Sequence, residues 1–245
     1  MNILNIVIPM AGLGSRFNTT HPGQIKPLID VNGVPMIHRV INNLNQEPNI
    51  KFTFITTKQI GNNKQLQNIF NSCKINFELI LVEQLTEGPA CTCLLAKDII
   101  NNNAPLIIIN CDQYIIDFNL KNIINFAKFN NADGVVGVFH SNSNKNSYIK
   151  LGEDLRIQEI KEKIVISNIA TNGLHFWSNG KDFVTSAETM IQKDEKYSNE
   201  FYVAPSYNYM IRDGKKILPY YYNLHYPIGI PEDLKYFTNN IYEYL

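Results

Sequence analysis

The chain opens on a short apolar run, residues 3–8, that stops at Pro9 and a glycine-rich loop, the pattern of a buried strand ending at the edge of a sheet. Comparable runs recur at 51–56, 77–82, 106–109 and 134–139, and helical periodicity fills the gaps at 36–44, 65–70, 90–100 and 120–129. Strand alternating with helix predicts an α/β fold built on a doubly wound, mostly parallel mixed sheet. Beyond residue 139 the rhythm changes to shorter extended pieces at 148–151, 156–160 and 170–177, then helices near 182–192 and 201–212, which reads as an inserted second half. The last segment, 231–244, carries Leu234, Phe237 and Ile241 at helical spacing behind Pro231, a residue suited to a first helical turn.

At 245 residues the chain can bury a sizeable core as one large domain. No repeat and no Pro/Gly/Ser-rich linker divides it, so the expectation is a single domain, 1–245, whose halves, about 1–139 and 140–245, share one sheet. Twenty-two Lys+Arg balance 22 Asp+Glu, which gives a duplex nucleic acid no electrostatic footprint, whereas a small anion needs only a local basic site. The first residues lack the positive region of a signal peptide and run straight into the glycine turn, and no apolar run approaches membrane-spanning length. The expectation is a cytoplasmic protein without a membrane partner, homo-oligomerisation being left open. Cys73, Cys91, Cys93 and Cys111 form no C-x-x-C pair and read as reduced thiols, and His21, His38 and His175 have no ligand-spaced partners.

The strongest local signal is PMAGLGSRF at 9–17, followed by KPLIDVNG at 26–33. Glycines at 12 and 14 let backbone N–H groups turn inward toward phosphate oxygens, and Arg16 and Lys26 add fixed positive charge. A G-x-G taken alone is more often an ordinary tight turn. Two better-known glycine loops fail on spacing. A dinucleotide fingerprint needs glycine where Phe17 stands and an acidic residue about 20 residues on, at the end of the next strand. Here that strand only begins near Lys51. A Walker loop ends in Gly-Lys-Ser/Thr, which SRF does not supply.

GLGSRF with KPLI and the following GVPMI resembles the opening signature of the sugar-phosphate nucleotidylyltransferases, of the type that serves capsule and surface-polysaccharide synthesis. Four later segments resemble the same family in the same order: EQLTEGPA at 83–90, NCDQ at 110–113, Glu162 and Lys163 followed by SNIATNGLHFW at 167–177, and IGIPEDL at 228–234. The resemblance runs from Ile6 to about Leu234. It implies a Rossmann-like fold and transfer of a nucleoside monophosphate from a triphosphate to a phosphorylated small acceptor, foremost a sugar 1-phosphate, with release of pyrophosphate. It further implies nucleotide binding by Ala11, Gly12, Gly14, Ser15, Arg16, Gln84 and Gly88, magnesium on Asp112, and catalytic charge from Arg16, Lys26 and Lys163, with Lys161 as the competing register. The second half becomes the acceptor-binding half, offering Glu162, Asn172, Glu200 and Asn208 as polar candidates.

Such chemistry needs no general base, because a phosphate acceptor is already largely ionised near neutral pH, and catalysis becomes alignment and charge stabilisation. One departure stands out. The family commonly has a second metal-binding aspartate two residues before the closing glycine, and Pro227 stands there. Glu232 and Asp233 follow closely, but acidic residues also suit the first turn of a helix. A non-sugar acceptor, such as a phosphorylated alcohol or amide, is an alternative within the same chemistry, and a nucleotide sensor without turnover is an alternative outside it.

Overall fold

In the computed structural model, which describes residues 3–240, alternation along each central strand decides which helices cover which face. The strands are β1 (Leu4–Pro9), β2 (Asp30–Val31), β3 (Val34–Pro35), β4 (Ile50–Thr57), β5 (Asn76–Val82), β6 (Leu106–Ile109), β7 (Gln113–Ile115), β8 (Gly134–His140), β9 (Ser147–Leu151), β10 (Ile157–Glu162), β11 (Ile169–Trp177), β12 (Ile217–Tyr221) and β13 (His225–Pro227). The helices are α1 (Met36–Leu44), α2 (Lys58–Gly61), α3 (Lys64–Ser72), α4 (Pro89–Leu94), α5 (Lys97–Ile100), α6 (Leu120–Phe129), α7 (Gly180–Gln192), α8 (Tyr207–Arg212) and α9 (Pro231–Asn240). Ile6 and Ile8 of β1, with Ile107 and Ile109 of β6, pack with α1, α3 and α6. Val7 of β1, with Leu106 and Ile108 of β6, packs with α4, α5, α7 and α8. A period of two along each strand thus buries both sheet faces under helices. None of the described helices is long and apolar enough to cross a membrane.

Among the described residues one sheet holds nine strands, drawn from both halves of the chain, in the order β10-β9-β11-β6-β1-β4-β5, with β8 between β11 and β12. β6, β1, β4 and β5 run parallel, as do β8 and β12. β11 is antiparallel to both β6 and β8, and β9 and β10 form an antiparallel pair. From β1 the chain winds outward through β4 and β5, then returns to place β6 on the other side of β1. The strand order therefore reverses between β1 and β6, and the crevice beyond their carboxyl ends is where doubly wound sheets bind ligands.

Two predicted helices come out differently. The 90–100 helix is two pieces, α4 and α5, and the 201–212 helix begins with a 3-10 turn at Ala204–Ser206 before α8. Phe201 cannot be helical, because its N–H bonds Glu87 O at 2.8 Å and its carbonyl accepts from Ala90 N at 2.9 Å. Of the last predicted helix, Ile241 and the residues to 244 lie outside the described residues. Leu234 and Phe237 of α9 are buried against Phe17, Ile29, Val31, Met36 and Ile228, which anchors the glycine-loop segment to the end of the described chain.

Candidate active site

The carboxyl ends of β1 and β6 open into a cleft of about 390 Å³ whose lining includes Ala11, Gly12, Gly14, Lys26, Thr86, Gly88, Asp112 and Glu200. Gly14 adopts φ +62, and a Cβ there would stand 2.9 Å from Lys26 Cβ. Glycine is required for both reasons, and its absence of a side chain lets the Lys26 stem lie along the loop. A Cβ on Gly12 would meet no protein atom within 4 Å, so the backbone there borders open cleft, as phosphate approach requires. Ser15 and Arg16 lie exposed on the 3-10 turn Ser15–Phe17, outside the lining, although the Arg16 charge is felt by both Lys26 and Tyr202.

Asp112 lies three residues beyond the end of β6 and meets Lys26, with Nζ 2.5 Å from Oδ2. Burial alone would lower the Lys26 pKa, but the Asp112 charge and hydrogen bond, with Cys111, outweigh it, and the ammonium titrates above its usual range. The other carboxylate oxygen accepts from Gln113 Nε2 at 3.3 Å, and Gln113 Oε1 lies 2.5 Å from His225 Nε2. Burial depresses the His225 pKa to about 4. The imidazole is neutral at neutral pH, and the Gln113 carbonyl selects the tautomer that donates from Nε2. The closing segment lies tightly on this carboxylate: Ile228 N–H bonds Asp112 O at 2.9 Å, and Gly229 has no room for a Cβ beside Oδ2. Sequence reasoning missed Gln113 and His225, whose contact depends on the β7–β13 ladder and carries no motif.

That ladder also sets Pro227 opposite Gln113, so the position of the family's second aspartate lacks a donor side chain. Asp233 is the nearby alternative. Its pKa is raised by burial, and also by the charges of Glu232 and Asp112. Among the described residues no group of three His, Cys, Asp or Glu side chains converges to hold a metal. A single strand-end carboxylate bordering a phosphate-sized cleft suits magnesium, which keeps several waters and takes one or two carboxylates alongside substrate phosphates.

The 83–90 loop is fixed by short bonds. Thr86 Oγ1 and Thr92 Oγ1 are 2.6 Å apart and lie 3.0 and 3.2 Å from Gly88 O, so one hydroxyl donates to the other and the second donates to Gly88 O. Gly88 has φ +131, and a Cβ there would fall 2.5 Å from Phe201 N, so any side chain would push the loop off the 201 backbone. Gln84 is exposed on this loop and outside the cleft lining.

On the acceptor side, Glu162 is buried and accepts a short hydrogen bond from Ser147 Oγ. Burial raises its pKa, against the Ser147 bond and the Lys163 charge, while Glu200 pushes the same way as burial. Lys163 follows β10 at φ +55, with Nζ 2.5 Å from the Tyr202 hydroxyl, which donates to Glu200 Oε2 at 2.5 Å. Lys161 instead pairs with Glu159 at 3.4 Å. Tyr202 escaped sequence reasoning because it falls in the stretch read as helix.

Two acceptor candidates change role. Asn208 pairs both amide heavy atoms with the backbone of Ile160, Oδ1 accepting from N–H and Nδ2 donating to C=O, both at 2.8 Å. It clamps α8 to β10, a structural role that the sequence did not announce. Asn172 uses Oδ1 to accept from Leu174 N at 3.1 Å across the irregularity in β11 where Gly173 takes φ +82, and packs against Gly137. Only its buried, unpartnered Nδ2 is left for a ligand.

The raised Glu162 pKa sets a stability prediction. The folded state binds more protons than the unfolded one as pH rises from the ordinary value of 4.5, so stability falls through that window and stays lower above it. Glu162→Gln should therefore melt a few degrees higher than the wild type at pH 7.5, with the gap closing at pH 4. Melting curves at the two pH values check this, and a lower melting temperature at pH 7.5 would contradict it.

Residues 6–216 match the family described as Nucleotidyl transferase. The chain belongs to the nucleotidyl transferase family. The chain is 28% identical over 187 residues to the Bifunctional protein GlmU of Methanococcus aeolicus, covering 72% of its own length and 40% of the relative's. It thus spans well under half of that curated relative. Its fold is similar to that of the nucleoside-diphosphate-sugar pyrophosphorylase from Vibrio cholerae, with a TM-score of 0.81, 22% identity, and coverage of 96% of this chain and 100% of the other. It is also similar to UDP-glucose pyrophosphorylase complexed with UDP-glucose, with a TM-score of 0.79, 18% identity and coverage of 99% and 100%.

Proposed function

We propose that this nucleotidyltransferase transfers a nucleoside monophosphate from a triphosphate to a phosphorylated small acceptor, foremost a sugar 1-phosphate, releasing pyrophosphate. The product would be a nucleoside-diphosphate-activated precursor for surface polysaccharide, made in the cytoplasm by one domain with a nucleotide half (1–139) and an acceptor half (140–245). The observation that carries the reading is the convergence of Gly12, Gly14, Lys26, Gly88, Asp112 and Glu200 on one cleft at the point where strand order reverses. The sugar acceptor is supported by the name of the structural relative, which was complexed with UDP-glucose.

An oxygen of the acceptor's phosphate attacks the α-phosphorus in line, forming one P–O bond as the α–β bridging bond breaks and pyrophosphate departs. The glycine loop offers N–H groups to the departing phosphates, and Arg16, at the exposed rim, supplies charge to them. Lys26 and Lys163 offset repulsion between the two anionic substrates. Magnesium bound by Asp112 and the phosphates would supply further charge neutralisation. Glu162, the Asn172 amide nitrogen and Glu200 are the groups left to recognise the acceptor.

A pyrophosphate-release screen of the five common triphosphates against phosphorylated sugars, alcohols and amides tests the reading. Release only with both substrates and a sugar 1-phosphate supports it; release with a non-sugar acceptor replaces the acceptor class, and tight nucleotide binding with no release across the panel replaces the enzyme with a sensor. The compact 84–90 loop, clasped by Thr86 and Thr92, leads us to expect a pyrimidine triphosphate to stabilise the protein more than ATP or GTP. Thermal shifts with magnesium measure this, and a larger shift from a purine would overturn it.

A further inference from the structure

Three consecutive residues tie the two substrate sides together. Glu200 lines the cleft, the Phe201 backbone bonds Glu87 and Ala90 of the 83–90 loop, and Tyr202 meets Lys163. The turn before them is held by a bridge between Tyr197 and Glu200, with Ser198 and Asn199 in left-handed conformations, and Lys196 pairs with Glu87 at 2.8 Å. The Tyr202 hydroxyl uses both of its capacities: it accepts from Lys163 and donates to Glu200, while the Lys163 ammonium also lies 4.5 Å from the Tyr202 ring centroid. A lysine has four rotatable side-chain bonds and rarely holds one position unaided. Here a phenol hydroxyl, itself held by Glu200, fixes it.

We propose that Tyr202 is a positioning residue for Lys163, holding its ammonium beside the cleft in register with the nucleotide loop through the backbone of Phe201. The proposal rests on the reading of Lys163 as the lysine that meets the acceptor's phosphate. Tyr202 itself touches no reacting atom. Its effect passes through Lys163, and because the Tyr202 backbone follows directly on the residue docked to the 83–90 loop, a well-seated nucleotide loop and a well-placed lysine come together.

The test uses the full chain with Tyr202→Phe, which keeps the ring and its packing and removes only the hydroxyl. Brief acetylation with an amine-reactive reagent, read peptide by peptide by mass spectrometry without substrates, should label Lys163 at least about threefold faster in Tyr202→Phe, with the other lysines unchanged. Equal Lys163 labelling overturns the proposal whatever the activity. With triphosphate and sugar 1-phosphate, Tyr202→Phe should lower kcat/KM for the acceptor roughly tenfold and leave KM for the triphosphate within about twofold, since a hydrogen bond to a charged group is lost on one substrate's side only. In a Lys163→Met background Tyr202→Phe should cost nothing more, and an additive loss would show that Tyr202 acts elsewhere. Should the wild type release no pyrophosphate with any acceptor, the functional reading fails, and the labelling experiment alone decides the role of Tyr202.

Discussion

Asp112→Asn should lower turnover by at least about two orders of magnitude, because charge stabilisation by a metal in the transition state is worth several kcal/mol and the variant removes the negative charge that a hard divalent cation prefers. The substitution keeps shape. The amide oxygen can still accept from Gln113, and the main-chain carbonyl still holds Ile228 N. What is lost is the partner of Lys26, whose ammonium would be left half-buried without its carboxylate, so the variant should also lose about 1–3 kcal/mol of stability. Turnover is therefore compared well below the melting temperature and across a magnesium titration. Binding of triphosphate without metal should change little, since the glycine loop and the 83–90 loop are untouched. Asp233→Asn and Glu232→Gln belong in the same experiment, because Asp233 is the carboxylate that feels the Asp112 charge and Pro227 supplies no ligand. Near-normal turnover in Asp112→Asn, with loss of magnesium dependence in Asp233→Asn, would move the metal to the later carboxylate.

The parallel core was legible because strands buried on both faces leave a plain trace. β1, β4, β6 and β8 are buried along most of their length and stand on the short apolar runs, while β5, at the edge of the sheet, is only partly buried and still coincides with one. Direction was not legible. Nothing in the apolar run of β11 says that it returns antiparallel to β6, since periodicity reports burial and carries no sign for chain direction. β12 was missed because Pro219 argues against a strand, and a proline is tolerated there only because β12 pairs on one side, with β8. Helix periodicity misled at 201–212 for a similar reason: the apolar spacing is present, but tertiary hydrogen bonds to Glu87 and Ala90 keep Phe201 out of the helix.

Residues of the site carried by a backbone requirement read best. Gly14 and Gly88 must be glycine because of positive φ and the lack of space for a Cβ; the spacing of the first loop singled out Gly14, and the family resemblance singled out Gly88. Polar side chains read worst, because an amide or carboxylate looks the same in sequence whether it faces a ligand or its own backbone. Asn208 is occupied by Ile160, and Gln113, His225 and Tyr202 acquire their places only through long-range pairing.

Lys26→Met should produce the second large loss, about two to three orders of magnitude in kcat/KM, since it removes a fixed positive charge from a site where two anionic substrates must meet. The structure adds a second consequence: Asp112 loses its ion pair in a setting where the side chains are only 20% and 16% exposed, so stability should fall with turnover. The two effects can be separated. Adding Asp112→Asn to Lys26→Met removes the stranded charge, and the double variant should melt higher than Lys26→Met while remaining inactive, a positive coupling expected of residues in direct contact. The pH dependence fixes the sign. The folded-state pKa of Lys26 lies above the ordinary 10.5, so its contribution to stability is present in full below 10.5 and is lost only as pH rises through the higher folded value. The melting-temperature gap between wild type and Lys26→Met should therefore stay level from pH 6 to pH 9. A gap that closes within that range would show that the ion pair is not what the substitution removed, and a double variant that regains turnover would show that the charge of Lys26 serves the fold alone.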